Sequence, residues 1–115
     1  VPDSVQISQS SLWVNAKGTF MVNEIEVNKK NLSTEMSETF DKKKWVKNVL
    51  LVKSDREVVY ESFLIALDES KKAFKLFQND CALQDFGKEY SELSDTMKVQ
   101  LQLYHPVALA ENVID

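Results

Sequence analysis

The sequence predicts an α+β fold, a small two-layer sandwich in which a short mixed sheet packs against helices. Three observations carry that expectation. Residues 12–27 alternate polar and apolar side chains around a glycine turn, residues 49–52 form a short unbroken apolar run, and from residue 60 the apolar residues recur every three or four positions. The first two patterns belong to strands and the third to a long helix, so one sheet and one helical layer share a core.

In chain order, residues 3–8 alternate with Val5 and Ile7 on one side, which predicts a short first strand. Residues 11–15 repeat the alternation with Leu12 and Val14, Trp13 lying on the other face, and Asn15, Ala16, Lys17 and Gly18 then make a turn. Residues 19–22 resume as a strand, Asn23 and Glu24 break it, and Ile25 and Val27 continue it. Asn28 to Asn31 is polar enough to hold a helix cap. Leu32, Met36 and Phe40 then recur every four positions with Ser, Thr and Glu between them, giving one apolar stripe and a wet opposite face. Lys42, Lys43 and Lys44 are placed at the end of that helix, where cations complement its dipole. Residues 49–52 are too few for a buried helix and are taken as the central strand.

After Asp55 the chain turns into the strongest periodic segment. Tyr60, Phe63, Leu64, Leu67, Phe74, Phe77 and Cys81 share a face, with Ala66 and Ala73 beside them. A helix over residues 59–86 would be about 40 Å long at 1.5 Å per residue, so it either breaks near Asn79 and Asp80 or projects and is covered by the tail. Gly87 is its expected stop and Ser94 the expected cap of a helix over residues 95–104, which Pro106 ends. Residues 107–110 close the chain as a short strand. The many apolar groups of residues 86–115 predict that the tail folds onto the core around Phe74, Phe77 and Cys81.

The chain has 115 residues, 43% of them apolar, enough for one modest core. A single domain over residues 1–115 follows, with its core at 5–86 and a C-terminal extension at 87–115. Fourteen bases against 18 acids give a net charge of -4, and every base except Arg56 is a lysine. Nucleic acid is excluded as the main partner, because phosphate backbones need concentrated positive charge. Cys81 is the single cysteine, so an internal disulfide is excluded too. No apolar run approaches the roughly 20 residues of a membrane span. The opening Val1 and Pro2, with no initiator Met, predict a fragment or processed chain.

No reactive constellation emerges, and the expectation is a protein without catalytic residues, metal or cofactor. His105, between Tyr104 and Pro106, is expected to be a capping or surface residue, and Cys81 a buried thiol on the helix stripe. Neither glycine belongs to a phosphate loop. Asp55 beside Arg56 is a charged pair at a strand mouth, expected to cap the turn and dock the long helix.

Val5-Gln6-Ile7-Ser8, then Trp13 to Gly18, Phe20 to Asn23, a polar helix, Val49 to Asp55, and Val58-Val59-Tyr60 resemble the periplasmic domain of the ExbD/TolR family. Its pattern is a first strand, a hairpin ending in an asparagine-glycine turn, a strand ending in aspartate, and a tyrosine opening the next helix. The tail, with Phe86-Gly87-Lys88, Leu93-Ser94 and Tyr104-His105-Pro106, resembles an extended form of the Bacteroidetes branch. Glu24 stands where the family has glycine, which puts the tightness of that turn in question. Arg56 replaces lysine, Val59 proline and Ala110 serine.

The resemblance implies a piece of a proton-driven motor subunit, tethered to the bacterial inner membrane by an N-terminal transmembrane helix that lies outside this sequence. Such a subunit works with an ExbB-like pentamer, dimerises in the periplasm and drives TonB to energise outer-membrane transport. A TolR-like peptidoglycan-binding module, using polar surface residues such as Asn23, Asn28, Asn31 and the lysines, or a purely structural dimerisation module, is the alternative. The implied homodimer or partner strand is Val5, Gln6, Ile7 and Ser8, and the family motif residues are Asn23, Asp55 and Tyr60.

Overall fold

The computed structural model describes the backbone of residues 5–114 and the side chains of residues 5–111. Residues 3 and 4 of the first expected strand, the opening Val1 and Pro2, and Asp115 lie outside the described residues. The first strand, β1 (Gln6–Val14), runs without interruption where two short strands were expected. Its serines and glutamines are poor strand formers, but every residue from Gln6 to Val14 is paired in parallel with a residue of the apolar strand β4 (Val46–Asp55). Pairing with such a neighbour overrides local propensity.

The turn after β1 is built by Asn15, whose Oδ1 accepts the backbone N–H groups of Lys17 and Thr19, both at 3.0 Å. Gly18 donates back to the Asn15 carbonyl at 2.9 Å with φ of 79°, a left-handed conformation that glycine tolerates. Strands β2 (Phe20–Val22) and β3 (Ile25–Val27) follow as an antiparallel ribbon on β1. Between them Asn23 and Glu24 have φ of 49° and 72°, the double positive φ of the tightest hairpin turns. The turn is tight although Glu24 replaces the expected glycine.

Helix α1 (Leu32–Thr39) buries Leu32 and Met36 completely, with Phe40 just beyond its end. It stops before the lysines, so the expected dipole role of Lys42, Lys43 and Lys44 is not what the fold uses. They lie in the loop to β4. β4 is longer than the expected four residues because its alternate positions Val46, Asn48, Leu50, Val52 and Ser54 all face the helices. It lies between β1 and β5, while the middle of the sheet, ordered β3-β2-β1-β4-β5, belongs to β1.

Helix α2 (Tyr60–Phe86) is unbroken through Asn79 and Asp80 and ends on Gly87, which takes φ of 67°. Its buried line is Ala66, Ser70, Ala73, Phe77 and Cys81, so small residues let the backbone close on its neighbours, while Tyr60 and Leu64 of the expected stripe stay exposed. Phe40 stacks on Phe74 at 5.5 Å and meets Phe77 edge-on at 5.3 Å. The tail completes the core. Ser94 caps α3 (Asp95–Tyr104) by accepting the Met97 N–H at 3.3 Å, Leu93 and Leu101 are buried, and β5 (Val107–Ile114) pairs in parallel along β4. Phe77 is covered from the tail side by His105, whereas Phe74 is met by Phe40. The segment after residue 86 is thus continuous with the sheet. The parallel arrangement of β1, β4 and β5 gathers their starts, the loop of Lys42 to Trp45 and the end of α3 at one end of the molecule, and Asp55, the β1–β2 turn and the start of α2 at the other.

Candidate interaction surface

β1 is covered on only part of one side. β2 pairs with Leu12, Trp13 and Val14, and Asn23 extends that pairing by one residue, its N–H donating to the Ser11 carbonyl and its Oδ1 accepting the Ser11 N–H, each at 2.9 Å. Before Ser11 no strand among the described residues lies on that side. By the two-residue period of a strand, the backbone groups of Ile7 and Gln9 point the same way as those of Ser11 and form an open template. Gln6, Ile7 and Ser8 therefore sit on the half of β1 with a bare edge, Val5 lies just before the strand, and Ile7 is 70% exposed. The outer sides of β3 and β5, at the two ends of the sheet, are further edges without a neighbouring strand among the described residues.

Asn23, Asp55 and Tyr60 do not converge. Asn23 closes the turn just described. Asp55 Oδ1 accepts Trp13 Nε1–H at 2.9 Å and its Oδ2 accepts the Ala16 N–H at 3.0 Å, so its carboxylate ties the end of β4 to the β1–β2 turn and not, as expected, to the long helix. Tyr60 is 73% exposed and supports no packing at the helix start. The sheet face away from the helices carries Trp13, Met21, Val49 and Leu51, half-buried, with Lys47 and Lys53 among them. A depression there, lined by Ser11, Trp13, Met21, Glu24 and Lys53, brings together one cation, one carboxylate and one serine hydroxyl, with no histidine to activate it.

His105 departs most from expectation. It does stand at the C-cap of α3, but the residue is buried, with Nε2 2.6 Å from Asp85 Oδ2 in the last turn of α2. Its Nδ1 has no hydrogen-bond partner among the described residues. One clue was legible in the sequence: Asp85 places an anion at a helix C-terminus, where the dipole disfavours it and a donor must compensate. Asn48 was equally hidden. It is fully buried and satisfied, its Oδ1 accepting the Asp41 N–H at 2.8 Å and its Nδ2 donating to the Asp41 carbonyl at 2.9 Å.

Cys81, buried close to this pair on α2, completes a set with the residue types of a nucleophilic site but the wrong electrostatics. Burial first, then the charge of Asp85, pushes its thiol up to about 12. A nucleophilic cysteine needs the opposite shift and an open approach. Among the described residues no group of three or more His, Cys, Asp or Glu could hold a metal ion, and no helix is long and apolar enough to cross a membrane. The arrangement offers edges and faces for binding. Compared with models of known protein families and with curated proteins, the chain matches none.

Proposed function

We propose that this chain is the periplasmic domain of an ExbD/TolR-type motor subunit, which dimerises and engages an extended segment of TonB. The observation that supports it most is the bare edge of β1 over Gln6, Ile7 and Ser8, which Val5 leads into, since a strand with unpaired N–H and C=O groups recruits another strand. A second copy pairs there, and the uncovered outer edge of β5 remains for TonB. The ExbB-like pentamer is reached through the upstream transmembrane helix of the whole subunit, and the domain itself performs no reaction. Asn23 and Asn28 use their side-chain oxygens within their own turns, accepting from Ser11 and Lys30, which leaves less polar surface for a peptidoglycan-binding role.

Two measurements test the reading. In sedimentation equilibrium the protein should be a dimer, and removing residues 1–9 should shift it to monomer; an unchanged mass before and after removal rejects the paired strand. In an amide-resolved NMR titration a TonB linker peptide should shift β5 or β1 resonances. Shifts confined to the lysines and asparagines with a muropeptide, and none with the peptide, would replace TonB by peptidoglycan.

A further inference from the structure

We infer that the end of the domain formed by the loop before β4 and the end of α3 docks on the surface of an anionic phospholipid bilayer. The inference begins with Trp45. Its φ is 67°, in the left-handed region that a bulky residue rarely adopts, and its N–H donates to the Tyr104 carbonyl at 2.8 Å. That contact sets the two rings edge-to-face with centroids 5.2 Å apart, and the Lys44 ammonium stands 4.6 Å over the Tyr104 ring. A hydrophobic body with a polar tip, flanked by lysine, is the chemistry that settles at the boundary between headgroups and acyl chains.

The surrounding charge favours an anionic surface. Lys43, Lys44 and Lys47 are exposed, and no ion pair engages them among the described residues. The neighbouring Lys42 is held by Asp80 at 3.7 Å, while the Asp41 carboxylate turns to the Lys43 backbone N–H at 2.9 Å. Two exposed apolar residues belong to the same end. Leu103 precedes Tyr104 in the last turn of α3 and is 62% exposed, and Ile7 is the register partner of Lys47 on the uncovered sheet face. A net charge of -4 over the whole chain therefore hides a local cationic, aromatic end.

The strand register gives this end a direction. The chain enters β1 here, with Gln6 beside Val46. In a domain tethered from its N-terminal side, the same end would face the membrane, which is the orientation docking requires. The lipid surface itself needs no TonB, partner subunit or dimer, so the vesicle experiment below can fail while the peptide titration succeeds, and the reverse.

The 115-residue protein is sedimented with vesicles of phosphatidylglycerol, or of phosphatidylcholine, at low ionic strength, with tryptophan emission followed in parallel. It should bind the anionic vesicles only, with emission moving to shorter wavelength. Trp45→Phe should abolish that movement, because Trp13 lies at the far end of β1 hydrogen-bonded to Asp55. The double variant Lys43→Gln/Lys44→Gln should weaken binding by about 30-fold, roughly fivefold for each lysine neutralised. Lys71→Gln/Lys72→Gln on α2 should leave it unchanged, with circular dichroism verifying the fold of each variant. No binding to phosphatidylglycerol, equal binding to phosphatidylcholine, or an unaltered affinity in the Lys43/Lys44 variant overturns the inference. Binding of heparin with the same affinity and no emission change would also overturn it, in favour of a soluble polyanion.

Discussion

Replacing His105 with alanine should destabilise the fold far more than its position at a helix end implies. Its ring nitrogen lies 2.6 Å from the Asp85 carboxylate, and the two side chains are 2% and 6% exposed. Removal of the imidazole leaves a carboxylate buried without its partner, a change that costs about 3–5 kcal/mol. A domain of this size has about 5–15 kcal/mol in total. At roughly 4 °C per kcal/mol the midpoint of thermal unfolding should fall by about 12–20 °C. Asp85→Asn should cost less, about 1–2 kcal/mol, because a neutral amide can still hydrogen-bond the ring. The double variant His105→Ala/Asp85→Ala should be more stable than the sum of its single variants, since neither leaves the other unpaired. Thermal melts with guanidinium titrations measure all of these, and hydrogen exchange should show β5 loosening first, as His105 joins α3 to it. A His105→Ala protein melting within 3 °C of the parent, or an additive double variant, would refute the argument.

Other substitutions follow from the same geometry. Glu24→Gly should stabilise by about 1 kcal/mol in chemical denaturation, because φ of 72° costs a side chain about that much and glycine almost nothing; loss of stability would mean the Glu24 side chain makes a contact that outweighs the relief. Asp55→Ala removes acceptors from Trp13 and Ala16 and should cost about 2–4 kcal/mol, whereas Tyr60→Ala, at an exposed ring, should change stability by less than about 0.5 kcal/mol. Cys81 adds a pH dependence. Its thiol is raised from 9.0 to about 12 in the folded protein, so below pH 9 both states are protonated and nothing is lost. Between pH 9 and 12 the unfolded thiol ionises and the folded one does not, and stability should fall by about 1.4 kcal/mol per pH unit. Relative to Cys81→Ala the parent should therefore lose stability over that window, so that any advantage it holds below pH 9 shrinks as pH rises; a difference independent of pH would show the thiol is not buried in solution.

Much of this fold is written locally. The four-residue stripe of Leu32 and Met36, the Ser94 cap, the Gly87 stop and the Asn15–Gly18 turn each depend on residues within one or two turns of chain, so period and capping chemistry in the sequence determine them. The α+β class and its two layers follow from those elements. What tertiary structure alone decided rests on partners far apart along the chain. β1 is one strand because Gln6 meets Val46, a pairing that no local propensity of its serines encodes. The bare edge of β1, where Gln6 to Ser8 lie, exists because β2 ends at Val22 and Asn23 closes the ladder at Ser11, which is a matter of strand order. His105 and Asp85 carry ordinary surface residue types, and only the return of α3 to the end of α2 desolvates them together. Lys44, Trp45 and Tyr104 become one surface for the same reason: two segments separated by the whole of α2 end on the same side of a parallel sheet. Alternation and capping act over a few residues, whereas burial and electrostatic pairing act through space, so local pattern determines the helices and turns, while packing decides the extent of β1 and which side chains meet.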